Sequence, residues 1–495
     1  MQEVVKLAGE TDNYDAIVIG AGYGGVTTAA LMAKAGKRVL ILEKGTQPGG
    51  KAVTIRKGGA AYEMWPIAGG PSEGSRFHEL VRDLGLDPAE LIVMPEQTGE
   101  FLYRDASGEW LKFGFSSRPS EDPGAAGRMP KALGIDPADL GGMMQMTASI
   151  FSMPEDEIAK HDETSTLEWL GQFNLPEPLM AYMGVVLNLL FVVPIDRLPV
   201  SEAVRTLKDF FRGGGGRYHA GGFGHIAELA VGYVESHGGK LLTSQRVVRI
   251  LIEDGRAVGV ATSDGEYRAP VVISNAGVQP TVLKLLTGAD LDSEYIDKVK
   301  SYEPSWAFVG VRYFLDAPVF EYPMYLAFSD ESWWESTRFA AAEAGDWPED
   351  PLLFVAVPGL YDTSLIPDSD HQVALVGTLS SPDPESPMND AAIEKVEEMT
   401  ARLWPAITNH LVRKEIYNAH SVSAASRDAV VPGQGGECIG LAQVIGQCGA
   451  SKPDIRGPVP GLYFTGCDAG GYGCGTHQAV ESGFVVAEAV LADLG

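Results

Sequence analysis

Apolar residues fall into short unbroken runs near the start of the chain and into alternating runs further on. YDAIVI at 14–19 and KRVLILEKG at 37–45 are bounded by glycine and polar residues, and each predicts a buried strand. Between them GAGYGG (20–25) leads into TTAALMAKAG (27–36), small and apolar, which predicts a helix. Residues 238–277, GGKLLTSQRVVRILIEDGRAVGVATSDGEYRAPVVISNAG, alternate instead. They predict strands turned at Glu253-Asp254-Gly255 and Asp264-Gly265 and closed by the apolar run VVISNAG. GLYFTG (461–466) predicts one more strand, and AVESGFVVAEAVL (479–491) a helix after a glycine-rich loop. LMAYMGVVLNLLFVV (179–193) is interrupted by Asn188 and ended by Pro194, a length that suits a buried helix better than a membrane span.

The β-α-β unit at 14–45 carries Gly20, Gly22 and Gly25 in G-x-G-x-x-G spacing, with Gly24 in the same turn. The first glycine allows the tight turn and the second lets the backbone approach a pyrophosphate. The third lets helix and strand pack closely, and the helix N-terminus faces the phosphate charge. Glu43, with Lys44 beside it, ends the second strand 18 residues after Gly25, where an acid reaches ribose hydroxyls. Strand, helix, strand and acid together predict dinucleotide binding. Gly49-Gly50 then let the chain pass a second time near a pyrophosphate, and Lys51 supplies a cation without the two-pronged geometry of arginine.

Composition narrows the class. The 495 residues exceed one usual core, so two or more domains are expected. A net charge of −28, with no basic patch, excludes nucleic acid as a partner. Four cysteines make no disulfide framework, and the first residues lack the basic and apolar regions of a signal peptide. A reducing cytoplasm is the expected location, with shallow contact at a membrane surface left open. Oligomeric state is not legible.

EKGTQPGGK (43–51) resembles the second glycine motif, E-x5-GG-R, of the FAD-dependent amine oxidase superfamily. Further blocks resemble bacterial phytoene desaturases and carotenoid isomerases: RYHAGGFGHIAELA (217–230), the closing SNAG (274–277), DTSLIPDSDHQVALVG (362–377) and GGECIGLAQVIGQCG (435–449). That resemblance implies an α/β fold with FAD as cofactor. A Rossmann-type (GR2-like) FAD domain would be assembled from 1–80, 205–295 and 430–495. An α+β substrate domain, 81–204 and 296–429, would be inserted, helical around 125–212 and strand-containing around 305–380. Val247 would pack on the adenine, Asn275 lie in the closing strand, and Gly466 and Asp468 sit near the ribityl or pyrophosphate. Amides of Gly475, Thr476, His477 and Ala479 would face the pyrophosphate and flavin. The chain departs from the pattern at YEMWPIAGGP (62–71), with Glu63 and Trp65, and at Thr476-His477-Gln478.

The reactive-looking cluster is TGCDAGGYGCGTHQAVESG (465–483). Cys467, Cys474 and His477 lack the spacing of a metal site, so no metal is expected. Cys467 and Cys474 lack the C-x-x-C helix start of a redox pair, and small-residue packing is the expected role of these cysteines and of Cys438 and Cys448. His477 suits either a histidine held at a helix N-terminus or a polar group over the flavin that accepts a substrate proton. Tyr472 and Gln478 share its loop, and Glu63 or Trp65 would line the opposite wall. His219 and His225 flank GGFG and are expected to be structural.

The expected function is desaturation of a C–C bond in a lipophilic, terpenoid or cyclic substrate, by hydride transfer to flavin N5. A flavin-dependent isomerase or hydratase, an amine oxidase and a non-catalytic FAD-binding subunit are the alternatives. Gly213–Gly216 follows a helical segment, not a strand, so no second dinucleotide unit is read. Oxygen, a quinone or a redox protein is therefore the expected electron acceptor.

Overall fold

The short apolar runs form one wholly parallel five-stranded sheet. Its order is Leu462–Phe464, Val271–Ser274, Ala16–Ile19, Val39–Leu42, Lys240–Leu242. The central three strands are buried at every position, as a parallel sheet covered on both faces requires. The computed structural model describes residues 13–67, 73–95, 97–116, 125–213, 216–368 and 370–495. The first twelve residues, the end of YEMWPIAGGP, Gly214-Gly215 and Ser369 lie outside them.

Ile19 pairs with Leu42 on one side and Ser274 on the other, so GAGYGG, Glu43 and Asn275 follow their strands at one level. This is the carboxyl edge at which open α/β sheets bind ligands. Helix Tyr23–Lys34 packs on helices Gly475–Leu494 and His225–Ser236. Its small residues permit this: a Cβ on Gly25 would lie 2.3 Å from the Gly20 carbonyl, and one on Gly483 2.6 Å from Thr27 Cβ. The alternating middle segment is an antiparallel meander, Val247–Glu253, Arg256–Thr262, Glu266–Arg268, with Asp254 and Gly255 in the left-handed region at the first turn.

A second, seven-stranded sheet takes its strands from 97–116 and 307–417. Its pairs are antiparallel except Met324–Ser329 with Gln97–Arg104. Along its strands one set of side chains, including Phe101, Phe308 and Phe354, packs toward helix Glu177–Phe191. The alternate set, including Leu102, Val309 and Val355, packs toward helix Met388–Leu403. The run at 179–193 is the buried helix the sequence predicts. Asn188 staples its end: Nδ2 donates to the carbonyls of Val193 (2.9 Å) and Trp334 (3.0 Å), and Oδ1 accepts from Trp334 N–H (2.7 Å). No helix among the described residues is long and apolar enough to cross a membrane.

Candidate functional site

A cavity of about 430 Å³ runs from the carboxyl edge of the parallel sheet to the face of the seven-stranded sheet. Three glycine-bearing segments form its narrow part. Gly20 (φ +94°) turns the chain out of its strand, and Gly22 precedes a helix whose first turn has no side-chain cap. Gly49 pairs with Gly22, and a Cβ on Gly50 would lie 3.0 Å from Gly22 Cα. A Cβ on Gly24 would lie 2.6 Å from Gly466 N. Asn275 ties these strands together: its carboxamide N donates to the Thr465 carbonyl and its O accepts from Gly22 N–H, each at 3.2 Å.

Glu43 accepts from Ala21 N–H (2.7 Å) and Gly45 N–H (2.6 Å) and lines the cavity. Each carboxylate oxygen keeps a second lone pair for a ligand. Lys44, Gly49, Gly50, Lys51, Val247 and Asn275 line it too. So do Gly466, Asp468, Gly475, Thr476, His477 and Ala479. Gly25 does not, because its work is the helix–strand contact described above.

Some of these residues also bond within the protein, and other expected residues stand off the cavity. Lys51 Nζ donates to the carbonyls of Glu437 (2.5 Å) and Ile439 (3.2 Å), and burial pulls its pKa down. Asp468 accepts from Val278 N–H (2.8 Å) and Leu441 N–H (2.9 Å) and pairs with Arg427 at 2.9 Å. Burial opposes its charge, yet Arg427 and those amides hold it below the usual carboxylate range. Glu63 is fully buried in a network with Tyr218, Phe223 N–H and Thr54 rather than on the cavity wall; Trp65 is on the wall. The final helix begins at Gly475, four residues earlier than its apolar pattern suggests. His477 therefore stands in its first turn and lines the cavity, whereas Gln478 is turned into the core against Gln443 (3.2 Å). Tyr472 is 46% exposed and lies off the cavity.

The four cysteines are free. Cys438, Cys467 and Cys474 line the cavity; burial pushes Cys438 up to about 11 and the other two up to about 12, so they stand there as neutral thiols. His477 Nε2 has no partner, and burial, with His78 beside it, pulls the imidazole down to about 4. His219 lies nearby against Phe223 and is pulled down to about 3 by burial. No group of three or more metal-ligating side chains lies among the described residues.

Sequence reasoning passed over Arg427-Asp428, a charged pair just ahead of GGECIG. Asp428 binds three cations from three elements on the cavity rim: Lys44 (3.1 Å), Arg246 (2.8 Å) and Lys284 (2.6 Å). Beyond this charged part the cavity widens into an apolar chamber. Tyr182, Val186, Leu189 and Leu190 form one stripe of helix Glu177–Phe191, facing Phe101, Phe308, Met324, Leu326 and Phe354 of the large sheet. Among the described residues every charged side chain on the cavity belongs to the narrow part, and none comes from this helix or sheet.

Residues 23–304 match the model of the flavin containing amine oxidoreductases. The chain belongs to this family. It is 25% identical over 519 residues to prolycopene isomerase 1, chloroplastic, of an Oncidium hybrid cultivar, covering 98% of this chain and 85% of that protein. To all-trans-retinol 13,14-reductase of Homo sapiens it is 24% identical over 542 residues, covering 97% and 86%. An oxidoreductase from Methanosarcina mazei shares the fold, with a TM-score of 0.71 over 96% of this chain and 99% of that one at 20% identity. This amine oxidoreductase family member is thus a flavin-dependent oxidoreductase with FAD as cofactor. The narrow part of the cavity fits that group. Gly22, Gly24 and Gly50 let the segments that line it close on one another where a Cβ would force them apart, and two helix N-termini without side-chain caps, at Tyr23 and Gly475, meet the same space.

Proposed function

We propose that this flavoenzyme converts a C–C single bond of an uncharged, lipophilic substrate, terpenoid or cyclic, into a double bond. The observation that carries the reading is the apolar chamber beside the dinucleotide cradle, whose helix and sheet walls bear no charged side chain. An ammonium or carboxylate entering it would lose its hydration without a partner, which disfavours an amine substrate. The backbone of Gly22, Gly24, Gly50 and Gly466 and the two helix N-termini would hold the FAD pyrophosphate, with Glu43 on the adenosine ribose and Val247 on the adenine. When bound, FAD supplies the acceptor for the hydride that leaves one substrate carbon.

The neighbouring carbon gives up a proton, completing loss of two hydrogens and formation of the double bond, and His477, whose ring lines the cavity with Nε2 buried and unpartnered, is the acceptor we assign. Its low basicity suffices, because a C–H bond beside an electron-deficient carbon is strongly acidic. His477→Ala is expected to lower turnover about 10²-fold with flavin content unchanged. The neutral imidazole is the working form, so the wild-type rate falls only as pH drops through about 4, not near 6.5. Unchanged turnover in His477→Ala would return the residue to a packing role. Reoxidation by oxygen, a quinone or a redox protein completes the cycle, and a cytoplasmic enzyme of this kind would meet its substrate at a membrane surface.

Anaerobic mixing with polyene and cyclic terpenoids tests the assignment. Loss of visible flavin absorbance with formation of the dehydrogenated product is expected. A second reading, redox-neutral isomerisation, is favoured by the end-to-end likeness to a prolycopene isomerase. It predicts turnover by the reduced enzyme with no net bleaching. Bleaching by amines alone would sink both.

A further inference from the structure

The apolar chamber has one feature that a pure hydrocarbon ligand does not explain. Of the described side chains that helix Glu177–Phe191 and the large sheet place on the cavity, Tyr182 alone carries an O–H or N–H group. Its ring is held edge-on to Phe101 (centroids 5.6 Å) and tilted against Phe328 (6.2 Å). Three other tyrosines satisfy their hydroxyls within the protein: Tyr103 donates to Asp330 (2.8 Å), Tyr417 to the Val376 carbonyl (2.7 Å) and Tyr463 to Asp493 (2.5 Å). Among the described residues Tyr182 has no such partner. Tyr62 and Tyr361 also have unpartnered hydroxyls, but neither lines the cavity. Phenylalanine would supply the same packing surface at 182 without an unpaired polar group in an apolar wall. Burial pushes the phenol up to about 12, so it is a neutral donor throughout the physiological range.

The geometry points to Tyr182 as a specificity residue that hydrogen-bonds an oxygen, hydroxyl or carbonyl, on an otherwise apolar substrate. This rests on the reading of the chamber as the substrate site and adds to it. The ligand class becomes an oxygenated lipophile rather than a hydrocarbon, oriented by one fixed donor. Its apolar body would lie along Val186, Leu189 and Leu190, on the stripe that follows Tyr182 along the helix.

The test uses FAD-loaded wild type and Tyr182→Phe with two probes of one carbon skeleton, farnesol and the hydrocarbon farnesene. Binding is followed by perturbation of the oxidised flavin spectrum, and stability by thermal melting. Wild type is expected to bind farnesol more tightly than farnesene. Tyr182→Phe should weaken farnesol about tenfold, the loss of one hydrogen bond, while leaving farnesene and the melting temperature unchanged. Equal effects on both probes, or no effect on either, would overturn the role of Tyr182 while the apolar chamber stands. A clear fall in melting temperature would overturn it too, by showing that the hydroxyl serves the fold. If neither probe binds the wild type, the chamber is not a lipophile site and the proposal goes with it.

Discussion

Replacing Gly22 by valine is expected to give a folded protein that purifies colourless. Gly22 sits where three segments converge. Its N–H donates to Asn275, it pairs with Gly49, and Gly50 approaches its Cα. A Cβ there would already lie 2.7 Å from the Asn275 carboxamide and 3.9 Å from Gly50 Cα. Its backbone is ordinary (φ −74°), so the penalty is one of space, not of strain. Valine must displace either the Asn275 strand end or the Gly49-Gly50 loop, and its methyl groups stand over the uncapped amides of the first helix turn. Overpacking of this kind costs about 1–3 kcal/mol, which a protein with three further cores should survive. The FAD cradle does not survive, because its walls are the backbone atoms being moved apart. Gly22→Ala should retain part of the flavin. Visible absorbance of the purified protein reads the cofactor, and far-ultraviolet circular dichroism on heating reads the fold. A yellow, fully loaded Gly22→Val would refute the assignment of the cradle.

What could be read from the sequence follows how local each determinant is. The turn GAGYGG, the acid Glu43 and the pair Gly49-Gly50 act through backbone within their own segments, so spacing alone revealed them. The stripe on 179–193 was half legible. Helical periodicity divides the run into a buried face, with Leu179, Met183 and Leu187, and a cavity face from Tyr182 to Leu190. A run apolar all round hides that division. Gln478 failed for a geometric reason. Helix advances about 100° per residue, so a start at Gly475 turns His477 toward the cavity and its neighbour into the core. The hairpin Gln97–Arg104 with Trp110–Ser116 left a signal in its turn Asp105-Ala106-Ser107-Gly108, which was passed over. Arg427 and Asp428 left almost none: Glu437 is near Arg427 in sequence, but Asp468, Arg246 and Lys44 stand 41, 182 and 384 residues away.

Arg427→Ala is expected to be strongly destabilising. The guanidinium, 9% exposed, holds two carboxylates at once: Nε bonds Glu437 at 2.8 Å and Nη1 bonds Asp468 at 2.9 Å, with Gln279 reached by Nη2 at 3.3 Å. Glu437 and Asp468 are 1% and 5% exposed, so neither can be rehydrated when the cation goes. Removing one partner of a buried pair costs about 3–5 kcal/mol because a charge is left stranded, and here two are. Asp468 also anchors the amides of Val278 and Leu441, so its protonation would loosen two loops beside the cavity. The pH dependence distinguishes a stranded charge from simple loss of packing. In the wild type the Asp468 pKa is depressed. Its contribution is present above the unfolded carboxylate value and is lost as pH falls through the lower folded value. Without Arg427, burial, the largest influence on Asp468, is opposed only by the Leu441 and Val278 amides, and that pKa moves up. The unfolded state then carries the carboxylate more readily, and the variant's deficit is largest at neutral pH. As pH falls toward the carboxylate range the deficit should narrow. Urea unfolding of both proteins, equally loaded with FAD, at neutral and mildly acid pH measures this. A deficit below about 1 kcal/mol, the scale of an exposed ion pair, would show that Arg427 is not the cation on which these carboxylates depend. A deficit that stays constant with pH would assign the loss to packing.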